Sequence, residues 1–151
     1  MFLSGGRSET NGFEAGRLLG FRFIPIMPSR SHVPQDIVQR QFEAYNAHDV
    51  EGILGAYAED AQHFEYPAKL LATGKAELRA RFTARFQDPR LNVSLVHRVV
   101  AASYVLDHEN VSATFAEGTG TTEMVAIYEG PRDKIARAWF ILGAVKVEMA
   151  P

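Results

Sequence analysis

The spacing of hydrophobic residues along the chain changes near Pro89. Before this residue, apolar side chains recur every three or four positions, as Ile37, Val38, Phe42 and Tyr45 do, which is the spacing of an amphipathic helix. After it, apolar and polar residues alternate with a period of two, which is typical of strands. The change predicts an α+β domain in which helices come first and a sheet follows.

The helical half contains clear stop and start signals. Asp49 is a good N-cap, and Glu59-Asp60, Pro67 and Gly74 interrupt the pattern. We therefore predict a helix over 34–46, a short helix from Val50 through Tyr57 that stops at Glu59-Asp60, a short strand over 61–67, a loop to Gly74 and a helix over 75–86.

The second half predicts four strands, over 91–101, 103–115, 121–130 and 134–143. The connections between them are short and rich in turn-forming residues. Consecutive strands with short connections form an antiparallel meander. The helices are expected to cover one face of this bent sheet.

The first 33 residues show neither period, and we read them as an irregular N-terminal extension before a domain over 34–147. Their apolar stretch is broken by Gly20, Arg22 and Pro25, so it predicts neither a signal peptide nor a membrane span. Met27 stands close to the start of the regular pattern. One hypothesis is that the natural chain begins at Met27 and not at Met1.

The composition of the chain limits the kinds of partner and the compartment that we expect. A chain of 151 residues is the usual size of one domain, and a formal net charge of −2 gives no general attraction for nucleic acid. The absence of cysteine excludes disulfides and thiolate metal sites and suits a reducing cytoplasm. We expect a cytoplasmic protein with no nucleic-acid or membrane partner.

A family resemblance is carried by two stretches, "IVQRQFEAYNAHDVEGILGAYAEDAQHFEYP" and "YEGPRDKIARAWF". Together they resemble the nuclear transport factor 2-like superfamily, and within it the SnoaL-like and ketosteroid-isomerase-like members. The resemblance implies a cone-shaped barrel made of a bent antiparallel sheet and three N-terminal helices. The superfamily includes isomerases, cyclases, epoxide hydrolases, dehydratases and non-catalytic binding modules, so the fold alone does not decide the activity.

The resemblance also implies an apolar cavity that holds a small hydrophobic ligand, with no cofactor and no metal. The predicted ligand-binding residues are aromatic side chains of the helices, the short strand and the last long strand. They are Tyr45, Tyr57, Phe64, Tyr66, Phe82 and Phe140. The alternative is that these rings only pack the core.

The ketosteroid isomerase mechanism itself is not supported by the sequence. It uses a carboxylate base and an oxyanion hole made of a tyrosine and a protonated aspartic acid. Alignment on the family pattern places Gln41 at the tyrosine, Tyr66 at the base, and Met124 or Val125 at the third position. All three groups are replaced.

The densest ionisable cluster is "YVLDHENV" on the second long strand. Alternation places Asp107 and Glu109 on one face and His108 on the other. A hairpin turning at 102–103 places Arg98 opposite Asp107 and His97 opposite His108. Either a group of this cluster, Asp107 or His108, performs acid–base chemistry in the cavity, or Arg98 and Asp107 form an ion pair on the outer, convex face.

His63 is the third candidate catalytic residue, because it lies on the short strand with Glu65 on its own face. A surface contact between the two is the alternative. His63, His97 and His108 come from three strands without a recognised ligand spacing, so we predict no metal site.

The last strand predicts an interaction surface. Ile135, Arg137, Trp139 and Ile141 alternate with Ala136, Ala138, Phe140 and Leu142. The resemblance implies that the second set lines the cavity and that the first faces outward. An outward row that contains tryptophan and isoleucine favours burial against a second copy. We predict a homodimer through the sheet face that carries Trp139.

Two functions remain open at this stage. One is a cofactor-free isomerase, cyclase or lyase that acts on a small hydrophobic carbonyl compound, with Tyr45 or Tyr66 donating a hydrogen bond to oxygen. The other is a non-catalytic binding or dimerisation module of the same shape. An ionisable group inside the cavity favours catalysis, whereas a cavity of apolar atoms and tyrosines favours binding.

Overall fold

A computed structural model describes residues 35–130 and 133–150. The predicted extension over 1–33 and the hypothetical start at Met27 lie outside these residues. The helices are α1 (Gln35–Asn46), α2 (Val50–Leu54) and α3 (Gly74–Arg85). The strands are β1 (Tyr57–Glu65), β2 (Lys69–Thr73), β3 (Asn92–Ala101), β4 (Tyr104–Phe115), β5 (Gly118–Glu129), β6 (Ile135–Leu142) and β7 (Lys146–Val147).

The strands form one curved, unclosed sheet in the order β2-β1-β6-β5-β4-β3, and β7 pairs with β5. The predicted meander is confirmed, since β3, β4, β5 and β6 pair antiparallel in sequence order. The sheet is nevertheless mixed, because β1 pairs with β6 in parallel. The α+β cone is therefore as expected, except that its sheet is not wholly antiparallel.

The second helix is shorter than predicted. Asp49 caps it as expected, accepting a hydrogen bond of 2.9 Å from the Gly52 amide, but Gly55 ends it. Tyr57 already begins β1, and Glu59-Asp60 lie within that strand with their side chains in solvent. The charged pair stands where the pairing of β1 with β6 shifts register, so the strand accommodates it without burying either charge.

The predicted loop before Gly74 contains β2, which the sequence reading missed. The strand pairs with β1 as a hairpin around Pro67. Its residues are mostly exposed, and only Ala72 is buried. Without a buried apolar face, the strand shows no alternation that distinguishes it from a loop.

The "YNAHD" turn fastens the end of α1 to the beginning of β3. The side chain of Asn46 donates a hydrogen bond of 2.8 Å to the Val93 carbonyl and accepts one of 2.8 Å from the Val93 amide. The Nε2 atom of His48 lies 2.9 Å from the Leu91 carbonyl oxygen. These contacts hold α1 over the concave face of the sheet.

The core lies between the helices and that concave face. Val38, Ile53, Leu78 and Val105 are among the side chains it buries completely. Ile135 also belongs to this core, with no exposed surface, so its predicted outward position is wrong. The helices of the described part of the chain lack the length and apolar composition that a bilayer crossing requires.

Candidate functional site

A cavity of about 110 Å³ lies between α1, α3 and the concave face of the sheet. Most of its wall is aromatic or aliphatic. The lining residues include Gln41, Tyr45, Tyr57, His63, Arg81, Phe82, Arg85, Glu109, Met124, Tyr128 and Phe140. An engineered apolar cavity of roughly 150 Å³ holds benzene. The size therefore fits a ligand with one ring or a short chain.

Glu109 is the carboxylic acid of this cavity. The alternation of β4 turns it inward together with Val105, Asp107 and Val111, and only 2% of its surface is exposed. Burial raises its pKa to about 8, and the negative charge of Asp107 adds to the rise, against a smaller opposing effect of Arg98. An acid with such a pKa exchanges protons readily near neutral pH.

Asp107 has a partner that Glu109 lacks. The guanidinium of Arg98 donates two hydrogen bonds of 2.7 Å to the two Asp107 carboxylate oxygens and a third of 2.8 Å to Gln39. The predicted pairing of Arg98 with Asp107 is confirmed, as is that of His97 with His108. The pair is not on the convex face, however, because Asp107 is fully buried on the concave side.

The sequence contained the signal that distinguishes the two carboxylates. In a regular hairpin with Arg98 opposite Asp107, the residue across from Glu109 is Val96, and in the structure a register shift places Leu95 there. Glu109 is then an inward carboxylate without a cation on the neighbouring strand. The sequence reading placed it on the correct face but did not select it as a site residue.

His63 lies deep in the same cavity, with 1% of its surface exposed. Its ring is surrounded by those of Tyr57, Phe82 and Phe140, at centroid distances of 5.0, 5.5 and 5.1 Å. Within the described residues, neither ring nitrogen has a hydrogen-bond partner. Burial and, to a smaller extent, the charge of Arg81 lower the pKa of His63 to about 3. The imidazole is therefore neutral at pH 7, and Glu65 does not contact it, since that side chain pairs with Lys69.

Three tyrosines also line the cavity. Burial raises the pKa of Tyr45, Tyr57 and Tyr128, and Glu109 contributes to each rise. All three stay protonated and able to donate a hydrogen bond. The Tyr57 hydroxyl has no hydrogen-bond partner among the described residues. Gln41 lies close enough to lower its pKa slightly without reaching hydrogen-bond geometry.

Two of the six predicted ligand-binding rings lie elsewhere. Tyr45, Tyr57, Phe82 and Phe140 line the cavity. Phe64 lies on the outer face of the sheet, where it stacks on Trp139 at 5.7 Å. Tyr66 follows the end of β1 and is 55% exposed. Strand alternation explains the first case, because His63 occupies the inward position and its neighbour must point outward.

His108 also points away from the cavity. Its Nε2 atom lies 3.1 Å from a carboxylate oxygen of Glu123 at the surface. His97 is exposed on β3. Two strands separate β4, which carries His108, from β1, which carries His63, so the three histidines are not neighbours. In residues 35–130 and 133–150, no three potential metal ligands come together.

Two arginines of α3 line the cavity as well. Arg85 donates a hydrogen bond of 2.9 Å from Nε to the Tyr45 hydroxyl. Partial burial lowers the pKa of Arg81, and the charge of Arg85 lowers it further. Both arginine side chains are also exposed to solvent. The other basic residues of this helix are paired with carboxylates, Lys75 with Glu59 and Arg79 with Glu51.

Comparison with known proteins identifies the class. The model of the SnoaL-like domain family matches residues 38–138. The chain belongs to this family, and its fold is the nuclear transport factor 2-like cone expected from the sequence. A comparison with curated proteins finds no match.

Several solved structures share the fold. An uncharacterized cystatin-fold protein from Novosphingobium aromaticivorans is 27% identical, with a TM-score of 0.65 over 70% of this chain and 95% of that one. A proposed polyketide cyclase from Sinorhizobium meliloti is 20% identical, with a TM-score of 0.59 over 70% and 94%. A protein of ketosteroid-isomerase-like fold from Catenulispora acidiphila, in complex with trimethylamine, is 11% identical, with a TM-score of 0.63 over 71% and 85%.

Proposed function

We propose that the protein is an enzyme that moves a proton on a small hydrophobic carbonyl compound, as an isomerase, cyclase or lyase does, and that Glu109 carries the proton. The observation that supports the proposal most directly is the buried carboxyl of Glu109, which has no ion-pair partner among the described residues and lines a largely aromatic cavity. A non-catalytic binding module does not need an acid whose pKa lies near 8 at this position.

The proposed step is enolisation. The Glu109 carboxylate takes a proton from the carbon next to the carbonyl group, and the electron pair of the broken C–H bond forms the enolate. The hydroxyl of Tyr57 donates a hydrogen bond to the enolate oxygen. Glu109 then returns the proton to another carbon, which gives isomerisation. Alternatively, the proton on Glu109 is first replaced by a deuteron from D₂O, and its return to the same carbon gives exchange. The electrons of the step come from the substrate, the proton is carried by the carboxyl group, and the deuteron comes from the solvent.

The neighbouring groups support this assignment. Asp107, fixed by Arg98, keeps a negative charge near Glu109 and so keeps its proton affinity high. The neutral imidazole of His63 offers a second hydrogen bond to a polar atom of the ligand. Two carboxyl groups with different surroundings are a common basis for acid–base chemistry at neutral pH.

Deuterium exchange tests the proposal. Phenylacetone and phenylpyruvate each have one ring and acidic hydrogens next to a carbonyl group, and the loss of their proton NMR signals in D₂O measures enolisation. We expect the protein to accelerate exchange of at least one of them over buffer, and the Glu109→Gln variant to lose at least a hundredfold of that rate, the usual size of a general acid–base contribution.

The matched control is Glu123→Gln, which changes an exposed glutamate of β5 outside the cavity and should leave the rate unchanged. No acceleration of either compound, or equal rates for the wild type and Glu109→Gln, contradicts the proposal. Tight binding of a small molecule without exchange supports the binding module instead.

For the partner, we propose a homodimer through the outer face of the sheet. The residues Phe64, Trp139, Ile127, Leu106 and Val99 form one apolar row across β1, β6, β5, β4 and β3, because each stands in register with the next. A row that crosses five strands is better covered by another protein surface than left in water. A second copy of the chain covers this row symmetrically.

For the compartment, we propose the cytoplasm, because a chain without cysteine suits a reducing environment.

A further inference from the structure

Arg81 and Arg85 hold two like charges one helical turn apart at the same cavity as Glu109. Like charges at this spacing destabilise a helix. Among the residues described, no carboxylate lies within 4 Å of either guanidinium, whereas the other two basic residues of α3 have such partners. The Nε atom of Arg85 is used by Tyr45, and its two Nη groups are left for other contacts.

The charge of the cavity wall has one sign at neutral pH. Glu109 is mostly protonated below its pKa of about 8, and His63 is neutral. The arginines therefore supply the only formal charges among the lining residues. A guanidinium group is planar and matches a carboxylate with paired hydrogen bonds.

We propose that the substrate carries a carboxylate, which Arg81 and Arg85 bind, while its uncharged carbonyl-bearing body occupies the cavity beside Glu109. This inference rests on the proposed function and narrows its substrate class to small oxo acids. Binding of the anion offsets the repulsion between the two arginines. The same ligand thus forms ion pairs with the arginines and places its carbonyl group beside Glu109.

The test compares phenylacetate with phenylacetamide, which have the same shape but differ in charge. Both compounds are measured by calorimetry at pH 7. We expect phenylacetate to bind at least tenfold more tightly than the amide, and added salt to reduce the difference. Arg81→Gln and Arg85→Gln should each remove most of it, whereas Arg81→Lys should restore part of it.

Arg79→Gln is the matched control, because Arg79 lies on the same helix but pairs with Glu51 outside the cavity. It should keep the full preference for the acid. Equal affinity for acid and amide, or an unchanged preference in both cavity variants, overturns the inference.

The Glu109→Gln variant separates this inference from the proposed function. It should keep the preference for phenylacetate, since the arginines are intact, although it loses the exchange reaction. If exchange depends on Glu109 but the preference is absent, the substrate class is wrong and the proton transfer stands. If the preference is present without exchange, the anion site stands and the enzyme proposal is wrong.

Discussion

Asp107 and Glu109 lie two residues apart on the same buried face of β4, but only Asp107 is bound by a guanidinium group. The charge of Asp107 and the burial of Glu109 together raise the pKa of the Glu109 carboxyl to about 8. Burial is the larger cause of this rise, and the Arg98 charge opposes the effect of Asp107.

The first prediction concerns stability at alkaline pH. The pKa of Glu109 is raised from 4.5 to about 8 on folding, so the folded state binds more protons than the unfolded state between these values. The contribution of Glu109 to the free energy of unfolding should therefore fall as pH rises through this window, by roughly 3–5 kcal/mol in total. Urea unfolding from pH 5 to 9 measures it.

Glu109→Gln is the control for that experiment, because the amide has nearly the same shape and no charge. The difference in stability between the variant and the wild type should grow over the same range, and the variant should be the more stable protein above pH 8. Parallel pH profiles of the two proteins would show that Glu109 titrates normally.

The second prediction concerns His63, whose pKa falls on folding from 6.5 to about 3. The unfolded state binds more protons between these values, so the contribution of His63 to stability should rise with pH up to about 6.5. His63→Phe removes two buried nitrogens that lack partners and keeps an aromatic ring. We expect it to be more stable at pH 7 by about 1–2 kcal/mol and to lose the acid-side dependence. A loss of stability at pH 7 would indicate that the imidazole has a polar partner in solution.

The third prediction concerns the buried ion pair. Arg98→Met leaves the fully buried Asp107 carboxylate without its partner and should cost about 3–5 kcal/mol. The double variant Arg98→Met/Asp107→Leu should recover most of this loss. Arg40→Met is the control, because Arg40 pairs with Asp36 in solvent and should cost at most about 1 kcal/mol. Equal losses in the two single variants would show that burial of the pair is not maintained.

The fourth prediction concerns the pKa of Glu109 in a variant. Asp107→Asn removes the negative charge that helps to raise this pKa, while Arg98 keeps its positive charge. The pKa of Glu109, followed by the ¹³C NMR signal of its carboxyl group, should therefore move down toward the ordinary range. A pKa that stays near 8 would mean that burial alone sets it.

The fifth prediction concerns the outer face of the sheet. At micromolar concentration the wild type should show twice the 16.8 kDa monomer mass by sedimentation or light scattering. Trp139→Glu should give the monomer, because it places a charge in the middle of the apolar row. Met149→Glu changes a side chain that is 93% exposed outside the row and should remain dimeric. A monomeric wild type refutes the dimer.

Much of the fold was predictable because its elements carry their own signals. The helix stripe ending in Tyr45, the Asp49 cap and the alternation of the meander are local patterns, and the hairpin register that pairs Arg98 with Asp107 follows from turn position. The parallel pairing of β1 with β6 was not predictable in this way, because residues far apart in the chain form it. The exposed β2 carried no pattern at all.

The site was predictable in part for the same reason. Strand alternation placed Glu109 on the face of Asp107, and the helix stripe indicated Phe82. Alternation alone does not say which face of an isolated strand turns inward, so Phe64 was chosen together with His63 although the two point in opposite directions. The pKa of Glu109 depends on burial, which only the assembled helices and sheet provide.

The most direct test of the account is the pH dependence of deuterium exchange into the one-ring carbonyl probe that the wild type processes. Because the proposal makes the Glu109 carboxylate the base, the rate should rise with pH, level off above about 8, and fall at least a hundredfold in Glu109→Gln. A rate that is independent of pH across this range, or that persists in Glu109→Gln, would contradict proton transfer by Glu109.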